Sequence, residues 1–199
     1  MGISARDFQR MQERLTGKTA TKKDKVVSAA ASAHEIVLGV DPSLRGTGYG
    51  VIRVAKPNSI ALAHGTISIP ASWEHSRCLA KIFETLRGVI AEHKPTACVL
   101  EGLFFAQNLQ TALIMGEARG ASMVAAAQAG LEVFEISPRK MKLAIVGYGA
   151  AQKSAVAKMV QRFLQLQETP AADAADALAL ALAYAQEVNR FSLSPPKRV

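Results

Sequence analysis

The fold is decided by the stretch Ile36-Val37-Leu38-Gly39-Val40-Asp41, an apolar run that ends in a carboxylate. Continuous apolar runs of this length are typical of central strands that are buried on both faces. A second run, Ala97-Cys98-Val99-Leu100, is followed by another acid, Glu101. A carboxylate has little structural reason to end a buried strand, so Asp41 and Glu101 are candidate functional residues.

Two further acids, Asp173 and Asp176, lie three residues apart at the start of an alanine-rich segment. Residues at this spacing share one face of a helix. Carboxylate oxygens are ligands that Mg²⁺ prefers, and the net charge of +8 favours a polyanionic partner. The four acids therefore predict a cage for divalent cations, with nucleic acid as the substrate.

The chain length of 199 residues suits a single domain with a full core. The longest weakly polar stretch, Ala177 to Ala185, is too short to span a membrane. Cys78 and Cys98 lack metal-ligand spacing and are expected to be buried, reduced thiols, which fits a cytoplasmic protein. We expect no membrane partner.

The N-terminal segment differs from the rest in composition. Residues 1–34 hold seven Lys or Arg side chains against three Asp or Glu, and their only apolar cluster is weak. We predict a flexible basic arm over residues 1–34, a folded domain over 35–190 and a frayed tail over 191–199.

Apolar periodicity predicts five strands and five helices. The strands are expected at 36–41, 48–55, 59–69, 96–101 and 131–136, and the helices at 73–93, 108–129, 138–145, 152–166 and 171–189. Three antiparallel strands followed by strands that alternate with helices predict an α/β fold, a mixed five-stranded sheet with helices on both faces. This order resembles the ribonuclease-H-like fold, whose acids collect at the ends of the first and fourth strands and on the last helix.

The segment from Gly147 to Ser154 is a near miss to a phosphate-binding loop, because Gln152 stands where that motif requires glycine. Lys153, at the start of a helix, is better interpreted as a phosphate contact for DNA. Phe104 follows Glu101 closely and is predicted to stack on an unpaired base, a contact worth about 1–3 kcal/mol.

The sequence resembles the RuvC family of bacterial Holliday junction resolvases over residues 35–189. Four stretches carry the resemblance, in order and at compatible spacing: Gly39-Val-Asp-Pro-x-x-Arg-x-Thr-Gly-Tyr-Gly50, Glu101-x-x-Phe104 with Gly116-x-Ala-Arg-Gly120, Pro138-x-x-x-Lys142 through Gly147-x-Gly149 to Lys153-Ser154, and Ala172-Asp-Ala-Ala-Asp-Ala-Leu178. Three positions depart from the family pattern: Ser43, Gly102 and Gln152. At position 102 a polar residue is usual.

The resemblance implies roles for individual residues. The expected catalytic metal ligands are Asp41, Glu101, Asp173 and Asp176, and the expected DNA contacts are Phe104, Arg139, Lys142 and Lys153. Which of the last two acids orients the attacking water is left open.

The resemblance also implies an Mg²⁺-dependent endodeoxyribonuclease that resolves four-way junctions by paired symmetric nicks. Two Mg²⁺ ions, with Mn²⁺ as a substitute, would serve each active site of a homodimer. The small-residue helix around 112–126 is the candidate dimer interface, and a RuvAB-type branch-migration complex is a candidate partner.

Three alternatives remain open at this point. A nuclease of the same fold that acts on RNA or on other branched nucleic acid would share the four acids. An actin-like or sugar-kinase ATPase would need two such domains. A DNA-binding module without catalysis would explain the charge but not the carboxylates.

Overall fold

A mixed six-stranded sheet organises the protein in the computed structural model, which describes residues 34–102, 109–188 and 196–199. The strands are β1 (Ile36–Asp41), β2 (Gly46–Arg53), β3 (Ile60–Ser68), β4 (Ala97–Glu101), β5 (Glu132–Ile136) and β6 (Lys197–Arg198). They lie in the order β3-β2-β1-β4-β5-β6. Strand β1 is antiparallel to β2 and parallel to β4, so the strand that ends in Asp41 lies in the middle of the sheet.

Helices cover both faces of this sheet, as the sequence predicts. Within the described ranges they are α1 (His75–His93), α2 (Leu109–Gln128), α3 (Pro138–Val146), α4 (Lys153–Leu164) and α5 (Ala172–Val188). One core cluster joins the sheet to α1 and α2, and the other joins it to α3, α4 and α5. The helices and the first five strands begin and end within two residues of the predicted positions.

The pattern of side chains explains these two layers. In β1, Val37 packs into the cluster with α5 and the next residue, Leu38, packs into the cluster with α1, and both are fully buried. Successive residues of a strand face opposite sides, so a strand buried on both faces must be apolar throughout. Helix α1 buries a stripe at four-residue spacing, Cys78, Ile82, Leu86 and Ile90.

Helix α5 lies unusually close to the sheet because glycines face it. A Cβ atom at Gly39 in β1 would overlap the carbonyl oxygen of Ala177, and a Cβ at Gly48 in β2 would overlap that of Asp173. Many of the helix residues are alanines, whose short side chains let the helix backbone approach the sheet. Residues 174–185 are all buried. The close contact places the first turn of α5 beside the end of β1.

The sixth strand corrects the predicted number of five. Lys197 and Arg198, within the tail that was expected to be frayed, pair with β5 in antiparallel orientation. The Arg198 guanidinium also lies 2.7 Å from a carboxylate oxygen of Glu132. A strand of two residues carries no periodic pattern, so the sequence gives no signal for it.

His34 is the first described residue, and its ring is anchored on the sheet. Its Nδ1 lies 3.0 Å from the Thr96 hydroxyl, and its Nε2 lies 3.1 Å from a carboxylate oxygen of Glu132. Residues 1–33 lie outside the described ranges, so the basic arm stays a prediction. The expectation of buried free thiols at Cys78 and Cys98 is confirmed. None of the described helices is both long enough and apolar enough to cross a bilayer.

Candidate active site

Two strand ends bring the first pair of carboxylates together. Strands β1 and β4 are parallel neighbours whose last paired residues are Val40 and Leu100. The next residue in each strand is an acid, so Asp41 and Glu101 lie side by side at the same edge of the sheet. The Glu101 carboxyl, in its protonated form, donates a hydrogen bond to Asp41.

The second pair of carboxylates comes from the first turns of α5. Asp176 is buried, with only 5% of its surface exposed, whereas Asp173 is partly exposed. The contact of the α5 backbone with Gly48 holds this turn beside Asp41, because Gly48 is the residue paired with Asp41 across β1 and β2. The structure therefore brings all four predicted acids to one edge of the sheet.

Lys153, the first residue of α4, supplies a positive charge to this cluster. Its Nζ lies 3.2 Å from Oδ2 of Asp176 and 4.0 Å from Oδ1 of Asp173. Burial opposes the charge of the ammonium, but the carboxylates of Asp176, Asp41 and Asp173 outweigh this effect and raise the pKa of Lys153. The predicted phosphate contact is thus also a counterion of the acids.

The remaining negative charge is poorly compensated. Burial is the main reason why the pKa of Glu101 is raised to about 8, and the neighbouring Asp41 carboxylate adds to the shift. Burial likewise raises the pKa values of Asp41 and Asp176. The Oδ1 atom of Asp176 is buried and has no hydrogen-bond partner among the described residues.

These features fit a site for hard cations. Unpaired, closely spaced carboxylate oxygens attract divalent ions that prefer oxygen ligands, and a bound ion would favour the ionised acids. In the part of the chain that the structure describes, no three His, Cys, Asp or Glu side chains surround one common ligand position. Asp173 and Asp176 lie against Lys153, and Asp41 and Glu101 share a hydrogen bond.

Helix α3 carries two of the predicted DNA contacts, Arg139 and Lys142. Lys142 lies near enough to Asp176 for its positive charge to oppose the effect of burial, which raises the pKa of that acid. Arg139, one turn earlier in the helix, is exposed. Arg139 also lines a cavity of about 450 Å³ together with Leu143 and Tyr148, which are 57% and 65% exposed. Tyr148 is not among the predicted DNA contacts, because the glycines on either side of it suggested only a phosphate loop.

Two other residues bear on the site, Phe104 by prediction and Arg119 by a contact with Glu101. Phe104, the predicted stacking residue, lies within 103–108, outside the described residues, so its role stays a prediction. Arg119 of α2 is buried and donates a hydrogen bond to the backbone carbonyl of Glu101. Sequence reasoning missed this contact, although Arg119 stands in one of the quoted motifs.

The sheet order, with its central parallel pair, and the carboxylates at the end of that pair define a nuclease of the ribonuclease-H-like class. The sequence model of the family described as crossover junction endodeoxyribonuclease RuvC matches residues 37–184. This chain therefore belongs to the RuvC family.

Individual relatives agree with this assignment. RuvC of Akkermansia muciniphila is 44% identical over 161 residues, which cover 81% of this chain and 93% of that protein. RuvC of Heliobacterium modesticaldum is 44% identical over 155 residues, covering 77% and 96%. The solved structure of Thermus thermophilus RuvC in complex with Holliday junction substrate is 31% identical, with a TM-score of 0.76, and covers 83% of this chain and 100% of that one.

Proposed function

We propose that this protein resolves four-way DNA junctions by nicking two strands at symmetric positions, leaving 5′-phosphate and 3′-hydroxyl ends. The observation that carries the proposal is the cluster of Asp41, Glu101, Asp173 and Asp176 at one edge of the sheet, in a chain of the RuvC family. Hydrolysis of a phosphodiester needs an activated water and a stabilised leaving oxygen. The four acids are suited to hold the groups that meet both needs.

The metal we assign to this site is Mg²⁺, with Mn²⁺ as a substitute. When bound, a pair of such ions makes water more acidic and stabilises the charge that develops on the leaving oxygen. Asp41 would be the shared ligand, Glu101 would hold one ion, and Asp173 and Asp176 would hold the other. The raised pKa values of three of these acids and the unpartnered oxygen of Asp176 support this assignment.

The cationic side chains serve the substrate. Lys142 lies near Asp176, and Arg139 is exposed one turn earlier on α3; both would contact phosphates of the junction arms. Lys153 neutralises Asp176 in the protein without DNA, and we expect it to turn toward a phosphate when metal and DNA enter the site. Phe104 is expected to stack on a base opened at the junction centre.

A homodimer would match the two-fold symmetry of a four-way junction and supply two active sites. Helix α2 offers the surface that supports this proposal. Three large apolar side chains on one face of it are exposed, Leu109 by 76%, Leu113 by 60% and Val124 by 49%. Gly116 and Gly120 lie on the same face with open space around them, so a second helix could approach closely.

Two wider assignments follow from this function. We place the protein in the cytoplasm of a bacterium, where its DNA substrate is, and the relatives compared above are bacterial. A RuvAB-type branch-migration complex is the candidate partner that would deliver junctions to it.

A cleavage assay tests the proposal. The wild-type protein should nick a synthetic four-way junction in Mg²⁺, and it should be inactive in EDTA. Linear duplex DNA and an RNA–DNA hybrid are the substrate controls. Asp41→Asn should bind the junction but not cleave it, because it removes a ligand charge. Preferential cleavage of the hybrid would favour the alternative, a nuclease acting on RNA, and metal-independent nicking would contradict the proposed chemistry.

A further inference from the structure

Arg119 is a buried cation on α2 that joins two neighbouring strands. Only 7% of its surface is exposed. One terminal nitrogen, Nη1, donates a hydrogen bond of 2.6 Å to the carbonyl oxygen of Glu101 at the end of β4. The other, Nη2, donates a hydrogen bond of 2.7 Å to Oε2 of Glu135 in β5. A planar guanidinium that is held at both nitrogens has a fixed orientation.

The carbonyl of Glu101 lies at the end of β4, beyond the last residue pair with β1. The last residue pair between β1 and β4 is Val40 with Leu100, so Glu101 extends one residue beyond the pairing with β1. On the other side, the Gly102 amide donates to the Ile136 carbonyl at 2.9 Å. Arg119 thus fixes the backbone at the residue whose side chain meets Asp41.

Gly102 makes room for this arrangement. A Cβ atom at position 102 would lie 3.1 Å from Oε1 and 3.2 Å from Cγ of Glu135, tighter than ordinary van der Waals contact. The lack of a side chain at position 102 therefore lets the Glu135 side chain approach the end of β4. The carboxylate of Glu135 compensates the buried charge of Arg119, which would otherwise be costly.

We propose that Arg119, held in place by Glu135, is a positioning residue for the Glu101 carboxylate. By fixing the Glu101 backbone it sets the direction of the side chain toward Asp41, and so prepares the acid pair to receive a cation. The proposal rests on the proposed function of Glu101 as a metal ligand. Groups that orient metal ligands without touching the metal change metal affinity or activity by about 10–100-fold when they are removed.

The test compares Arg119→Lys with a matched control, Ser122→Ala. Ser122 is also buried on α2, but its hydroxyl donates a hydrogen bond of 2.9 Å to the Ala118 carbonyl within the same helix. Mn²⁺ binding to the protein without DNA is measured by electron paramagnetic resonance, and single-turnover cleavage is measured on prebound junction. Arg119→Lys should weaken Mn²⁺ binding and slow cleavage, each by about tenfold, with junction affinity unchanged. Ser122→Ala should change only the melting temperature.

A double-mutant cycle separates positioning from general stability. If Arg119 acts through Glu101, the Arg119→Lys effect on Mn²⁺ binding should disappear in a Glu101→Gln background. If the effect persists there, or if Arg119→Lys lowers only the melting temperature, the inference is wrong. If Arg119→Lys does not fold, Glu135→Gln should give a smaller loss of Mn²⁺ binding in the same direction, and wild-type affinity in that variant overturns the inference.

Glu101→Gln alone distinguishes failure of the proposed function. If this variant binds Mn²⁺ and cleaves like the wild type, Glu101 is not a ligand, and the positioning role of Arg119 falls with that assignment. If Glu101→Gln loses Mn²⁺ affinity while Arg119→Lys retains it, only the inference about Arg119 is contradicted.

Discussion

Gly48 in β2 lies directly against the backbone carbonyl of Asp173 at the start of α5, with no room for a Cβ atom between them. Because Gly48 is also the residue paired with Asp41, this single contact sets how near the helix acids come to the strand acid. The active site therefore depends on a backbone-to-backbone contact as much as on its ionisable side chains.

Gly48→Ala should damage the site by pushing the first turn of α5 away from the sheet. Overpacking of this kind costs about 1–3 kcal/mol of unfolding free energy, and we expect cleavage to fall further than stability, because Asp173 and Asp176 move with the helix. Gly88→Ala is the matched control, since Gly88 is exposed in α1 with open space around it. That change should stabilise the helix by about 0.5–1 kcal/mol. Urea unfolding and nicking rates measure both variants, and equal effects would contradict the packing argument.

Stability of the metal-free protein should fall as the pH rises. The pKa of Glu101 is raised to about 8 in the folded protein, against about 4.5 in the unfolded chain, so the folded state binds more protons between these values. The loss of stability that comes from ionising the buried Glu101 carboxyl is absent below about pH 4.5 and complete above about pH 8. Melting temperatures in EDTA across this range should decline for the wild type and decline less for Glu101→Gln. Added Mg²⁺ should restore stability at pH 8, because it compensates the ionised acids. A wild-type curve with the same slope as that of Glu101→Gln would refute the buried-acid explanation.

Lys142→Gln and Lys153→Gln should both weaken junction binding, each lowering the log–log salt slope by about 0.9 for a lost phosphate contact. Lys153→Gln should also destabilise the metal-free protein more than Lys142→Gln does, because Asp176 would lose the ammonium 3.2 Å away. Binding titrations at several salt concentrations and melting curves in EDTA separate the two effects. Unchanged salt slopes in both variants would mean that neither lysine contacts phosphate.

Phe104→Ala should reduce junction cleavage more than stability, since we expect its ring to stack on an opened base. A Phe that is buried in a core instead contributes about 3–5 kcal/mol to stability. Calorimetry and single-turnover cleavage distinguish the two cases. A large drop in melting temperature with normal cleavage per folded molecule would place Phe104 in the core.

Deletion of residues 1–33 should leave metal-dependent cleavage intact, because no candidate ligand lies there. The cut should precede His34, whose ring contacts Thr96 and Glu132. Affinity for non-specific DNA at low salt should fall, since seven of the 24 Lys and Arg side chains are removed. The difference should shrink toward ~0.15 M salt, where the Debye length is about 8 Å. Loss of folding would show that the domain begins earlier.

The sequence predicted the strands and helices well where burial imposes a clear period. Runs such as the one ending in Asp41 are buried on both faces, and α1 shows a regular four-residue stripe. The position of the four acids was also predictable, because a charge after a buried strand or on the first turn of a helix needs an explanation. Asp41 meets Glu101 because β1 and β4 are parallel neighbours, and Asp173 and Asp176 join them because α5 packs against Gly48.

Contacts that depend on strand register were not predictable in the same way. Arg119 and Glu135 are 16 residues apart, and they meet only because β4 and β5 place Glu135 beside Leu100. The contact of Lys153 with Asp176 depends on how two helices pack, so the sequence suggested a phosphate contact without its counterion role. Strand β6 was missed because its two residues are too few to form a pattern.

That short last strand has a consequence for the behaviour of the protein in solution. Without Lys197 and Arg198, β5 would be the edge of the sheet and would present unpaired amide and carbonyl groups, which invite pairing with other molecules. With them, the outermost strand is two residues long and both of its side chains are exposed cations, a combination that discourages such pairing. We therefore expect Lys197 and Arg198, which are not among the predicted catalytic residues, to limit aggregation, and trimming them should cost solubility before it costs activity.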